Sequence, residues 1–154
     1  MATNYELRIT NYEIKLPRPM IKNPNLNFSF SGLKTAVLYH HQKQSPVIQK
    51  SATYKSAMAY EIQQAIIDVL IKKTTRAIQQ YQIKTLLLGG GVTSNTELKK
   101  QFQIKAKDLK IVLLIPPPEF CTDNAAMIAQ AACYNIKKVT AYQNLTVTAN
   151  LNLK

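Results

Sequence analysis

The chain has 154 residues, 46% of them hydrophobic and 18% charged, a balance that supports one folded domain with an ordinary core. Its 20 Lys and Arg against 8 Asp and Glu give a net charge of +12, which favours a polyanionic partner, either a nucleic acid or an anionic membrane surface. No apolar run approaches the roughly 20 residues needed to span a bilayer, and the opening MATNYELRITNYE lacks the apolar segment of a signal peptide. The reading is a cytoplasmic chain that does not enter a membrane. Cys121 and Cys133 are the only cysteines and form no CxxC pair, so two reduced thiols packed in or beside an apolar helix are expected. The basic residues fall in small groups (Lys72, Lys73, Arg76; Lys99, Lys100; Lys105, Lys107, Lys110; Lys137, Lys138). Such groups suit solvated helix faces as well as an RNA-sized footprint.

The first segment is a repeat: TNYELRI at 3–9 is followed at once by TNYEIKL at 10–16, with four identities. Each copy alternates apolar and polar residues as a strand does, and a hairpin turning at Thr10-Asn11 would join them. Copies so alike read as a tandem duplication. Residues 1–15 are therefore set apart as a leader of doubtful role, ahead of a lobe covering 16–154. LPRPM and KNPN then form an extended, proline-punctuated connection. Phe28-Ser29-Phe30 predicts a short strand, Gly32 a turn, and Leu33 onward a helix, with a break at Ser45-Pro46. From about Ser51 to Gln80 one long amphipathic helix is expected, with Met58, Ile62, Ala65, Ile66, Val69 and Leu70 on its core face.

IKTLLLGGG predicts an apolar strand of five or six residues ending in three glycines. A helix follows, opened by a capping box Ser94-x-x-Glu97 and turning Leu98 and Phe102 inward. KIVLLIPPP predicts a second buried strand, and a last helix runs from about Asp123 to Lys137. Strand, helix, strand, helix with uniformly apolar strands implies parallel pairing with helices covering the sheet, so the fold class is α/β. The pattern accounts for about half of a doubly wound domain, as though earlier strands belonged in front of it.

Two turns carry candidate chemistry. In LLLGGGVTSN, Gly89, Gly90 and Gly91 join a strand's carboxyl end to a helix amino end, where free amides and the helix dipole favour an anion. The pattern is neither GxGxxG nor GxxxxGK[ST], and a tight structural turn explains it equally well. Asn95 follows, either a tolerated residue near the cap or a recognition group beside a phosphate or ribose. Asp123, after Thr122, sits at a helix start, where capping is the simpler reading and metal ligation the alternative. A single carboxylate cannot make a metal site. His40 and His41 are adjacent, point about 100° apart on a helix, and do not form a chelating i,i+4 pair. Neither HExxH nor a recognisable Ser-His-Asp or Cys-His order occurs.

LPRPM…NFSFSGLKTA, LLLGGGVTSNTELK and PPPEFCTDNAAMIA together resemble the tRNA threonylcarbamoyladenosine synthase family, formerly called glycoprotease or O-sialoglycoprotein endopeptidase. The resemblance runs from about Leu16 to the C-terminus, and FSFSGLKT and CTDNAAMIA are its most specific blocks. It implies an actin–hexokinase-type (ribonuclease-H-like) lobe, of which this chain is the C-terminal half. It also implies an acyltransferase that moves a threonylcarbamoyl group from threonylcarbamoyl-adenylate to the adenosine adjoining the tRNA anticodon. By the motif match, Asp123 is a ligand of one divalent metal, iron or zinc, Asn95 binds substrate, and Gly90 and Gly91 line the adenylate pocket. No catalytic residue is assigned.

The family's remaining metal ligands are an HxxxH pair in a first lobe that does not occur in this sequence, and His40-His41 does not match it. Ala132 stands where the family usually has glycine. The resemblance therefore implies a chain that is incomplete and inactive alone. Its partners would be tRNA, a separately encoded first lobe and the other proteins of tRNA threonylcarbamoylation. The competing reading is a non-catalytic basic fragment that binds tRNA or a partner. A related O-carbamoyltransferase or ATP-dependent kinase is disfavoured by CTDNAAMIA.

Overall fold

A long central helix organises the fold. This computed structural model describes residues 13–135; the first copy of the repeat, its turn at Thr10-Asn11, Lys137, Lys138 and the chain's ending lie outside them. The elements are α1 (Ser31–Gln42), α2 (Pro46–Lys50), α3 (Ala52–Tyr81), β1 (Thr85–Leu87), α4 (Thr96–Asp108), β2 (Val112–Leu114) and α5 (Ala125–Tyr134), with 3-10 turns at Gly91–Ser94 and Pro118–Phe120. The long helix expected over 51–80 is α3, and it divides the core in two. Its first half packs Tyr54, Ala57, Met58 and Ala65 against Ile14, Leu16 and Leu33. Farther along, Ile67 joins Leu98 and Phe102 of α4. Ile67 and Val69 are fully buried side chains, each contributing about 2 kcal/mol of transfer free energy. Ile14 shows that the second repeat copy contributes to the core.

Ser45 caps α2 by accepting from the Ile48 N–H, and Pro46 begins it with a φ already suited to a helix. At its other end α3 stops on Gln82, whose φ of 53° is left-handed. The Ile83 N–H returns to the Ile78 carbonyl at 3.0 Å, closing the helix end.

β1 and β2 pair in parallel, with Leu86 opposite Leu113 and Leu87 opposite Leu114. This gives an α/β arrangement in which α4 crosses between parallel strands. β1 is three residues long rather than the five or six expected, and β2 is also three, because strand pairing ends where each turn departs. Leu86, Leu88 and Leu113 face Ile67, Leu98 and Phe102. The expected helix cover of the sheet and burial of the second strand are incomplete among the described residues: Leu87 is 70% exposed, and Val112 and Leu114 are also open. α5 buries no residue, although Ala125, Ala126, Met127, Ile128 and Ala129 make its first turns apolar. Among the described residues, no helix is long and apolar enough to cross a membrane.

Several local expectations are corrected. Phe28-Ser29-Phe30 is not a strand, since no neighbouring strand among the described residues pairs with it; it leads directly into α1. Gly32 lies inside α1 rather than in a turn, and a Cβ there would sit 3.7 Å from Pro19 Cγ. Cys121 and Cys133 are both free, as expected, but only Cys121 is buried. Cys133 is exposed on α5 rather than packed as expected.

Candidate functional site

Parallel pairing brings the carboxyl ends of β1 and β2 to the same edge of the sheet, where α/β folds gather their ligand-binding turns. From β1 the chain runs through Gly89 and Gly90 into the 3-10 turn Gly91–Ser94 and then α4; from β2 it runs through Pro118–Phe120 and Cys121–Asp123 into α5. The two turns touch. A Cβ on Gly91 would lie 3.6 Å from Thr122 Cγ2, and Thr93 Oγ1 is 3.2 Å from Cys121 Sγ. The Thr93 hydroxyl also donates to the Gly90 carbonyl at 2.6 Å, while the Cys121 thiol donates to the carbonyls of Pro116 and Pro117 at 3.7 and 3.5 Å. Thr93 and Cys121 are both buried, so this seam is a fixed floor beneath the turns.

Of the three glycines, Gly90 alone has a backbone requirement, a φ of 90°. Open space lies above Gly89 and Gly90, where an added Cβ would meet nothing within 4 Å. The turn is therefore shaped by one strained position and leaves room above it.

Asn95 is the N-cap of α4. Its Oδ1 accepts from the Leu98 N–H at 2.9 Å and its Nδ2 donates to Gln63 Oε1 at 2.8 Å. This replaces the capping box expected at Ser94 and Glu97: Ser94 ends the 3-10 turn, which puts Asn95 three residues before the amide that needs a partner. Asn95 also borders a cavity of about 360 Å³ whose wall includes Ile62, Ile66 and Leu98.

Asp123 does not cap α5. Asn124 does, accepting from the Met127 N–H at 3.0 Å, and the helix starts at Ala125 rather than at Asp123. Asp123 is exposed and makes no hydrogen bond or ion pair among the described residues. The simpler reading of this carboxylate is thus removed, because the residue after it does the capping.

His40 and His41 turn toward Tyr54, each Nδ1 lying 3.4 Å from its hydroxyl. Among the described residues, no three of His, Cys, Asp and Glu stand close enough to hold a metal ion. The nearby Cys121 thiol is buried and directed at backbone carbonyls. The described residues therefore do not fit a metal centre by themselves.

Sequence reasoning missed two anchors that set the connection ahead of α1. Arg18 of LPRPM pairs with Glu61 and places Nε 2.9 Å from Asp68 Oδ2. Its Nη1 also donates to the Leu16 carbonyl at 2.8 Å. Lys73 is only 3% exposed and donates to the carbonyls of Asn23 and Asn25 at 2.9 and 2.7 Å. Burial, with Arg76 beside it, pushes the Lys73 ammonium below its ordinary pKa. The spacing of Asp68 and Lys73 inside an amphipathic helix looks like solvated polarity, so nothing local signals either anchor.

The sequence profile of a family described as tRNA N6-adenosine threonylcarbamoyltransferase matches residues 2–130. Curated proteins bearing that name are similar to this chain. The protein of Thermosipho africanus is 44% identical over 142 residues, covering 92% of this chain and 42% of its own length. That of Francisella tularensis subsp. novicida is 41% identical, covering 90% and 40%. That of Trichlorobacter lovleyi is 47% identical over 118 residues, covering 77% and 34%. The chain thus spans about two fifths or less of the length of these relatives.

Proposed function

This chain belongs to the tRNA N6-adenosine threonylcarbamoyltransferase family, and from that premise we propose that it supplies the C-terminal half of a tRNA-modifying acyltransferase. The activity is transfer of threonylcarbamoyl from threonylcarbamoyl-adenylate to the adenosine adjoining the tRNA anticodon, carried out in the cytoplasm. The observation that carries this reading is the contact between the Gly90–Gly91 turn and the Thr122–Asp123 turn at one edge of a parallel sheet. An actin–hexokinase-type lobe would use such an edge as the wall of its nucleotide cleft.

In this reading the open space above Gly89 and Gly90 admits the adenylate phosphate close to backbone amides. Asn95 reaches the nucleotide by exchanging its Gln63 partner, and the apolar cavity beside it receives a flat, apolar portion of the substrate. Asp123, free of capping duty, contributes one ligand to a divalent metal, iron or zinc, whose other ligands come from outside the described residues. This reading requires a first lobe carrying HxxxH and the other threonylcarbamoylation proteins.

The test is threonylcarbamoyl transfer to tRNA, measured with the purified chain, with a first-lobe polypeptide of a relative, and with both together. Transfer and bound metal are expected only in the mixture, and Asp123→Ala is expected to lose the metal there. Transfer by the purified chain alone overturns the proposal, and equal metal content in variant and wild type removes Asp123 from the ligand set. A second reading, a non-catalytic basic binding fragment, is favoured by the net charge of +12. Binding of tRNA without transfer in any mixture would establish it.

A further inference from the structure

α3 and α4 meet along a recess of about 500 Å³ on the flank formed with the LPRPM connection, and its wall is basic. Asp68, Ile71, Lys72 and Thr75 recur at helical spacing and so occupy one face of α3, while Gln101 and Lys105, four apart, share a face of α4. The amides of Gln64 and Gln101 bond each other across the helices at 2.9 Å, which fixes the separation of the two walls.

The charges in this recess are unevenly satisfied. Arg18 is shared between Glu61 and Asp68, and the second Asp68 oxygen accepts from Gln64 at 2.7 Å. Both oxygens of Asp68, the acid among the lining residues, are thus already hydrogen-bonded, and neither bonds a lysine. Lys72 makes no hydrogen bond or ion pair among the described residues. Lys105 has only Asp108, at 3.8 Å and largely exposed, a pair of the kind that contributes little in water. Two lysines thus line one recess from different helices. Ile21 and Ile71 line the same recess, which gives it apolar surface for aliphatic stems. A merely solvated helix face needs no recess shared with a second helix.

We propose that this α3–α4 recess is a phosphodiester-binding groove in which Lys72 and Lys105 grip the backbone of tRNA, with the Thr75 hydroxyl as a further donor. The proposal rests on the reading of tRNA as the macromolecular substrate and adds to it a contact surface separate from the glycine turn. Two lysines act here as point charges on phosphates, so the groove positions the RNA and carries no sequence information.

The test measures binding of an unmodified tRNA transcript across a range of salt concentrations. It compares the wild-type chain, the double variant Lys72→Gln/Lys105→Gln, and a control of equal charge change, Lys55→Gln/Lys84→Gln, whose lysines are exposed and outside the recess. Loss of two phosphate contacts should lower the slope of log K against log salt by about 2 in the groove variant. The control should change it by less than about half a unit. Equal slope changes in groove and control variants, or an unchanged slope in the groove variant, overturn the groove while leaving the tRNA reading intact. A wild-type chain that fails to bind tRNA at low salt overturns the groove, while transfer in the two-lobe mixture still tests the tRNA reading. Lysine-dependent binding to phosphatidylserine vesicles with no binding to tRNA would instead assign the recess to a membrane surface.

Discussion

Replacing Asn124 and Asp123 separately tests whether the carboxylate before α5 holds the helix or holds something else. At the N-terminus of α5 the side-chain cap is the 3.0 Å bond from the Met127 N–H to Asn124 Oδ1, and none of its ten residues is buried. Helices this short are marginal without tertiary contacts. Removing an asparagine cap costs about 1 kcal/mol, close to a fivefold fall in helix population. Asp123 offers only a charge near the helix's positive end, worth about 0.3 kcal/mol when exposed and screened, or less than a twofold change. Amide hydrogen exchange over 125–134 reads the difference directly. Asn124→Ala should reduce protection about fivefold, while Asp123→Ala and Asp123→Asn stay within twofold of wild type. If Asp123→Ala lowered protection as far as Asn124→Ala, Asp123 would be a structural residue, and the argument for it as an available ligand would collapse.

Arg18→Ala should destabilise the chain by about 2 kcal/mol in urea unfolding, because Glu61 and Asp68 lose their partly buried counter-ion; this discounts the value for a fully buried pair. An unchanged midpoint would show that the LPRPM connection is not anchored through Arg18. Gly90→Ala should cost about 1–2 kcal/mol although nothing lies within reach of the new Cβ, since the penalty is the φ of 90° itself. Gly89→Ala, with the same open surroundings and no positive φ, is the control; equal costs would remove the backbone argument. Burial raises the Tyr54 phenol above its ordinary pKa of 10.0, so the folded chain keeps that proton to higher pH than the unfolded chain. This stability is fully present below pH 10 and declines as pH rises through the elevated value. Stability measured from pH 9 to 11 should therefore fall more steeply in wild type than in Tyr54→Phe, and parallel curves would contradict the assignment.

Periodicity and punctuation made the elements of this fold legible. The apolar spacing from Met58 to Leu70 requires a helix, and the LLL and IVLL runs followed by glycine and proline point to two strands, though not to where each one ends. The turns following those strands could be named as candidate sites because the end of a strand and the start of a helix are local facts. Which residue caps each helix was not legible, since Ser94 and Asn95, or Asp123 and Asn124, are equally good caps and the choice depends on where the preceding turn ends. The long-range anchors were hidden for a different reason. Arg18 meets Asp68 and Lys73 meets Asn23 across some fifty residues of chain, and no local pattern encodes a partner that far away. The parallel register alone decided that Gly91 and Thr122 touch. The sequence determined two turns able to carry chemistry; only the tertiary structure made them neighbours, because hydrogen bonding between β1 and β2 places both carboxyl ends on one side.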